Sequence, residues 1–170
     1  MDRNYRIPTL IPKPLRYEGL EGMVTLGSDS SITFRGRTEA ETDEIRAVAG
    51  YLAIRLRTAT GFPFPVMAED MPEEGGIHLG TGDIGVVYGA EGYRLDVGPA
   101  CVVLTANAPE GLFRGIQTVR QLLPAEIESD EKVSGLSWSL PSCRVRLRNM
   151  AKRLRIGKLN FYEDPAVDWE

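Results

Sequence analysis

The chain has 170 residues, 42% of them hydrophobic and 26% charged, with a formal net charge of −4. That is enough chain for one domain burying about 70% of the surface its unfolded form exposes, with no second core required. No apolar run reaches the ~20 residues of a membrane span, and the polar start Met1-Asp2-Arg3-Asn4 lacks the apolar core of a secretory signal, so a cytoplasmic protein with no membrane partner is expected.

Ile7 to Pro14 holds three prolines in eight residues and predicts an extended entry arm. Met23–Leu26 and Ile32–Phe34 read as short strands separated by the turn residues Gly27-Ser28-Asp29-Ser30. Thr38 with Glu41 three later has the form of a capping box, and Ile45, Val48, Ala49, Leu52 and Leu56 follow on one helical stripe that Gly61 ends. Val66 opens a short strand, Glu69 to Gly76 is an acidic loop, and Ile77-His78-Leu79 is another strand, closed by Gly80 and Gly82. Apolar and charged residues alternate in Tyr93–Val97, as in a strand with one wet face. After the turn Gly98–Ala100, the apolar run Cys101–Ala106 predicts a strand buried on both faces, paired to it as an antiparallel hairpin. A helix then starts at Asn107–Pro109, carries Leu112, Phe113, Ile116, Val119 and Leu123 toward the core, and stops at Pro124. On it, Gly111 and Gly115 allow close approach to a sheet. The order β-β-α-β-β-β-β-α predicts an α+β sandwich: a mixed, mainly antiparallel sheet of five or six strands with two main helices on one face.

Several pieces of this chain resemble the N-terminal accessory, zincin-like domain of family-20 glycoside hydrolases, the β-N-acetylhexosaminidases. They are Ile11-Pro12-Lys13-Pro14, Thr60-Gly61-Phe62-Pro63-Phe64-Pro65-Val66, Gly92-Tyr93-Arg94-Leu95-Asp96-Val97 and Gly111 to Pro124. Their order and spacing agree with that family over roughly residues 7 to 145, and these motifs are structural. The resemblance implies a domain that performs no chemistry itself and supports a catalytic (β/α)₈ barrel. Such a barrel typically needs about 250 residues. After Cys143-Arg144-Val145-Arg146 the resembled family continues with an Asp-x-Pro-Arg-Phe segment, whereas Leu147-Arg148-Asn149-Met150 stands here, and Met150 to Asp164 looks like a shortened barrel beginning. The expected division is 1–143 as the accessory domain and 144–170 as a basic helix and strand remnant.

Candidate chemistry is sparse. His78 is the single histidine, and no HExxH or His/Cys cluster accompanies it, so no metal site is expected. The resembled enzymes use an adjacent Asp-Glu pair, in which Glu is the acid and Asp orients the substrate acetamido group. Of the adjacent acidic pairs here, Asp43-Glu44 falls early in a helix and Glu69-Asp70 and Asp130-Glu131 fall in loops, while Glu163-Asp164 lies near the end; none is read as the catalytic pair. Gly80-Thr81-Gly82-Asp83-Ile84-Gly85 spells G-x-G-x-x-G, yet no helix follows, which excludes a dinucleotide fingerprint. Phe62, Phe64 and Tyr88 are candidate sugar-stacking aromatics, though their apolar, proline-flanked setting suits packing better. Cys101 and Cys143 read as reduced thiols.

Arg144 to Lys158 contains seven Lys or Arg and no acid, and Leu147, Met150, Ala151 and Leu154 give it an amphipathic helical pattern. It lacks interleaved aromatics and sits on an acidic body, so nucleic acid is not expected to bind, and packing against its own domain or a second copy is preferred. The sequence thus predicts a noncatalytic accessory domain without catalytic, cofactor-binding or metal-binding residues. Its partner would be a glycosidase barrel encoded elsewhere; the alternative is a stand-alone binding or assembly module, with homo-oligomers as one outcome.

Overall fold

A computed structural model describes residues 8–148. The elements run β1 (Arg16–Leu26), β2 (Ile32–Arg35), α1 (Glu39–Thr60), β3 (Val66–Met67), β4 (Ile77–Thr81), β5 (Tyr93–Val97), β6 (Val102–Ala106), α2 (Pro109–Leu122) and β7 (Trp138–Leu147), with short 3₁₀ turns at Val86–Tyr88 and Ala125–Glu128. The seven strands form one sheet in the order β1-β7-β5-β6-β4-β2-β3. Pairing is antiparallel from β1 through β7 and β5 to β6, and parallel from β6 through β4 and β2 to β3. The α+β class and the mixed sheet with two helices are as expected. The strand count is higher, and the junctions divide evenly between the two senses.

The helices follow local chemistry. Thr38 Oγ1 accepts from Glu41 N at 3.1 Å, and the Glu41 carboxylate reaches back to Arg37 N at 3.0 Å, which closes the expected box one residue earlier than its usual form. Gly61, at φ 73°, ends α1 in the left-handed region and donates to Arg57 O at 2.9 Å. Pro109 occupies the first turn of α2, where a missing N–H is harmless.

Both helices pack on the same sheet face and against each other. Ile32, Phe34, Leu79, Leu95, Leu104 and Val145 face them and are fully buried. Each such side chain contributes about 1.5–3 kcal/mol by leaving water. Alternation then assigns Thr33, His78, Arg94, Asp96, Arg144 and Arg146 to the opposite face. β6 departs from expectation here: Val102, Leu104 and Ala106 are buried, but Val103 and Thr105 are half-exposed, so the strand has one core face rather than two.

β7 corrects the reading of the C-terminal region. Residues 138–147 are a strand inserted between β1 and β5, pairing Arg144 with both Glu18 and Asp96. The basic helix therefore does not begin at Arg144, and a boundary at 143/144 would cut through a central strand. The rest of that expected helix, and Glu163-Asp164, lie outside the described residues.

Candidate functional site

The chemistry-bearing side chains are dispersed. His78 is 9% exposed and its Nδ1 lies 2.8 Å from Thr33 Oγ1 on the next strand. Burial pushes its pKa down, opposed by the charge of Asp70, so the imidazole is a satisfied, neutral group. Glu41 is pulled down to about 2, first by its hydrogen bond from Arg37 and then by that from the Thr81 hydroxyl, against the effect of burial. Arg37 also donates to Asn107 O at 2.6 Å. The Glu41 carboxylate thus stays ionised and fully engaged, tying the start of α1 to the ends of β4 and β6; this perturbed acid is a structural node.

Asp43-Glu44 lies on α1, while Glu69-Asp70 and Asp130-Glu131 lie in loops, as expected. Asp70 is taken by Arg35 at 2.7 Å. Among the described residues no group of three His, Cys, Asp or Glu is placed to hold a metal ion, and no helix is long and apolar enough to cross a membrane. Gly80 to Gly85 runs from β4 into a loop and a single 3₁₀ turn, so the glycine pattern opens no helix. Of the candidate sugar platforms, Phe64 and Tyr88 are buried, and Phe62 is packed on the core; none offers a free ring face. Cys101 and Cys143 are both free thiols, with burial pushing Cys143 up to about 11.

What the two helices do expose is apolar. Tyr51 (37% exposed) and Ile54 (63%) point away from the sheet on α1, beside Phe113 (47%) on α2. The Tyr51 and Phe113 rings pair with centroids 5.6 Å apart, and the Arg120 guanidinium lies over Tyr51 while bridging Glu128. A Cβ added at Gly50 would meet nothing within 4 Å, so the stripe Ala47-Gly50-Tyr51-Ile54 forms a smooth outer surface. Phe113 thus faces out, contrary to its expected place in the core stripe. The remaining stripe was legible in principle, because Ala47, Gly50, Tyr51 and Ile54 stand at i, i+3, i+4 and i+7 opposite Ile45, Ala49, Leu52 and Leu56.

Residues 7–146 match the family model described as glycosyl hydrolase family 20, domain 2. The chain belongs to that family. Its solved relatives include the family-20 β-N-acetylhexosaminidase of Streptomyces coelicolor A3(2), at 34% identity and a TM-score of 0.69, matched over 82% of this chain and 26% of that one. The N-acetyl-β-hexosaminidase of Streptomyces plicatus is similar at the same identity and coverage, with a TM-score of 0.68. A β-hexosaminidase of Porphyromonas gingivalis is 29% identical over 121 residues, 70% of this chain and 15% of its own length. This family-20 domain thus spans about a quarter or less of the relatives it matches.

Proposed function

We propose that the family-20 domain 2 described here is a noncatalytic scaffold of a β-N-acetylhexosaminidase-like hydrolase, and that the outer face of α1 and α2 seats the catalytic barrel. The apolar outer stripe with Tyr51, Ile54 and Phe113 carries this reading. It is supported by the engagement of the ionisable groups: Glu41 is held by Arg37 and Thr81, Asp70 by Arg35, and Glu18 and Asp96 by Arg144, each in a structural ion pair or hydrogen bond. The relatives' names attach hexosaminidase activity to chains several times longer.

Purified 170-residue chain given a chromogenic N-acetyl-β-glucosaminide is expected to release no more product than buffer; turnover would sink the proposal. Residues 8–148, substituted for the matching quarter of the S. coelicolor enzyme, are expected to support folding of the barrel. Ile54→Glu with Phe113→Glu should then lower the chimaera's thermal midpoint by several degrees. The same pair forming a salt-independent dimer contact in the 170-residue chain alone would favour a stand-alone assembly module instead.

A further inference from the structure

One end of the sheet brings together an apolar tip, the start of α2 and the point where the chain leaves the domain. Thr81, Ala106, Tyr93 and Leu147 are aligned there across β4, β6, β5 and β7. β4 leaves this row into the loop 82–92, β6 passes through Asn107 into α2, and β7 runs out at Leu147, from where the polypeptide continues. The loop packs against both neighbours. A Cβ added at Gly92 would stand 2.8 Å from Leu147 O, and one added at Gly111, in the first turn of α2, would stand 3.1 Å from Ala90 O. Glu91 pairs with Arg114 at 2.9 Å, next in sequence to the exposed Phe113.

The tip of this loop is apolar and held firmly. Val86 is 98% exposed and Val87 42%, on the 3₁₀ turn Val86–Tyr88. Asn107 Oδ1 accepts from Ile84 N at 3.0 Å, and its Nδ2 donates to Gly85 O and Gly89 O at 2.9 and 3.1 Å. Asp83 Oδ1 accepts from Gly85 N, Gly92 N donates to Tyr88 O, and the Tyr88 ring is buried. Two β-branched side chains are thereby held out into water on a turn that cannot fold them away. Single exposed valines are ordinary on a surface. A pre-ordered apolar pair beside the chain's exit is different, because a contact made there loses little conformational freedom.

We propose that the Val86–Val87 tip is a second contact for the catalytic barrel, fixing the barrel's orientation while the outer helix face supplies area. The inference rests on the reading of that face as the barrel's seat. On that reading the barrel continues the chain beyond β7, and connectivity then selects the occupant. A partner tethered at Leu147 meets the tip at an effective concentration in the millimolar range, far above what a free protein or a second copy reaches. A tether and one contact leave the barrel free to pivot. A second contact, at the end of the sheet, removes that freedom.

The chimaera carrying residues 8–148 in the S. coelicolor enzyme tests this, with its hydrolysis of the chromogenic N-acetyl-β-glucosaminide read first. p-Benzoylphenylalanine placed at Val86 is expected to cross-link, on irradiation, to a peptide of the barrel. Val86→Asp should lower the chimaera's thermal midpoint by about 2–4 °C. Met71→Asp, at another exposed apolar side chain in the loop before β4 at the opposite end of the sheet, should leave it unchanged. In the 170-residue chain Val86→Asp should leave the urea midpoint unchanged; a loss there would assign Val86 to the domain's own stability and overturn the proposal. Cross-links confined to the domain or to a second molecule, or equal shifts for Val86→Asp and Met71→Asp, would overturn it too. The seat reading survives those results if Ile54→Glu with Phe113→Glu still lowers the midpoint, whereas a chimaera without turnover overturns the seat reading and this inference together.

Discussion

Gly111 and Gly50 both lie inside helices, and their surroundings set opposite expectations. A Cβ at 111 would fall 2.7 Å from Ala106 Cβ and 3.1 Å from Ala90 O, neither of which can move without shifting backbone. Gly111→Ala should therefore destabilise the domain by about 1–3 kcal/mol despite the better helix propensity of alanine. At Gly50 nothing lies within 4 Å, and Gly50→Ala should stabilise by about 0.5–1 kcal/mol. Urea unfolding of the two variants beside the parent checks both signs. Glu41 gives a pH-dependent counterpart. Its folded pKa, about 2, lies below the ordinary 4.5, so its contribution is fully present above about 4.5 and is lost as pH falls toward 2. Glu41→Gln should be less stable than the parent at neutral pH, with the difference shrinking across that acid window in thermal melts. A pH-independent difference would mean that the Arg37–Glu41–Thr81 node acts through packing alone.

At the scale of elements, legibility followed periodicity. α1, α2 and β5 each repeat one period and β6 is one apolar run, and each was placed by sequence to within a few residues. β1 was read only from Met23 to Leu26, because the pairing register shifts between Gly19 and Met23 and glycines at 19 and 22 break the alternation of the first half. β7 was missed as an element for a different reason. Arg144-Val145-Arg146-Leu147 alternates cleanly, but Leu147 also starts an i, i+3, i+4, i+7 pattern with Met150, Ala151 and Leu154, and Pro141 stands where a central strand would not normally tolerate it. The outer helix face, though spelled out at helical spacing, went unused because a single amphipathic stripe already explained α1, and a second apolar stripe gains meaning only once the sheet is known to cover the first. That second stripe predicts its own insensitivity. Ile54 is 63% exposed, so Ile54→Glu should change the unfolding free energy of the chain by no more than about 0.5 kcal/mol, whereas Leu52→Ala on the buried side should cost about 2–5. A large loss at Ile54 would mean the chain itself already covers that face.

Across the whole molecule, the order of strands in the sheet departs sharply from their order in the chain, and β7 is where that matters most. It enters last yet lies between β1, which begins at Arg16, and β5, so one ladder closes a loop of about the full length of the domain. Long-range closure of this kind carries its entropy cost before any pairing compensates it, which places folding on the slow side of small domains. It also makes the last strand indispensable. Without β7 the first strand has no partner in the sheet, and Trp138, Leu140, Cys143, Val145 and Leu147, all buried, leave the core. Their burial is worth of the order of 10 kcal/mol, comparable to the entire net stability of a typical domain. A chain ended at Ser137 should consequently show no cooperative urea transition by far-ultraviolet circular dichroism, although both helices and the six other strands keep their sequences intact. A chain ended at Arg148 should unfold cooperatively with a midpoint close to that of the 170-residue chain, because the family match closes at residue 146 and the described core is complete by Leu147. Cooperative unfolding of the shorter chain would show that β1 and β7 form an appendage to an independent five-stranded core, and the domain would then have to be redrawn around β5, β6, β4, β2 and β3.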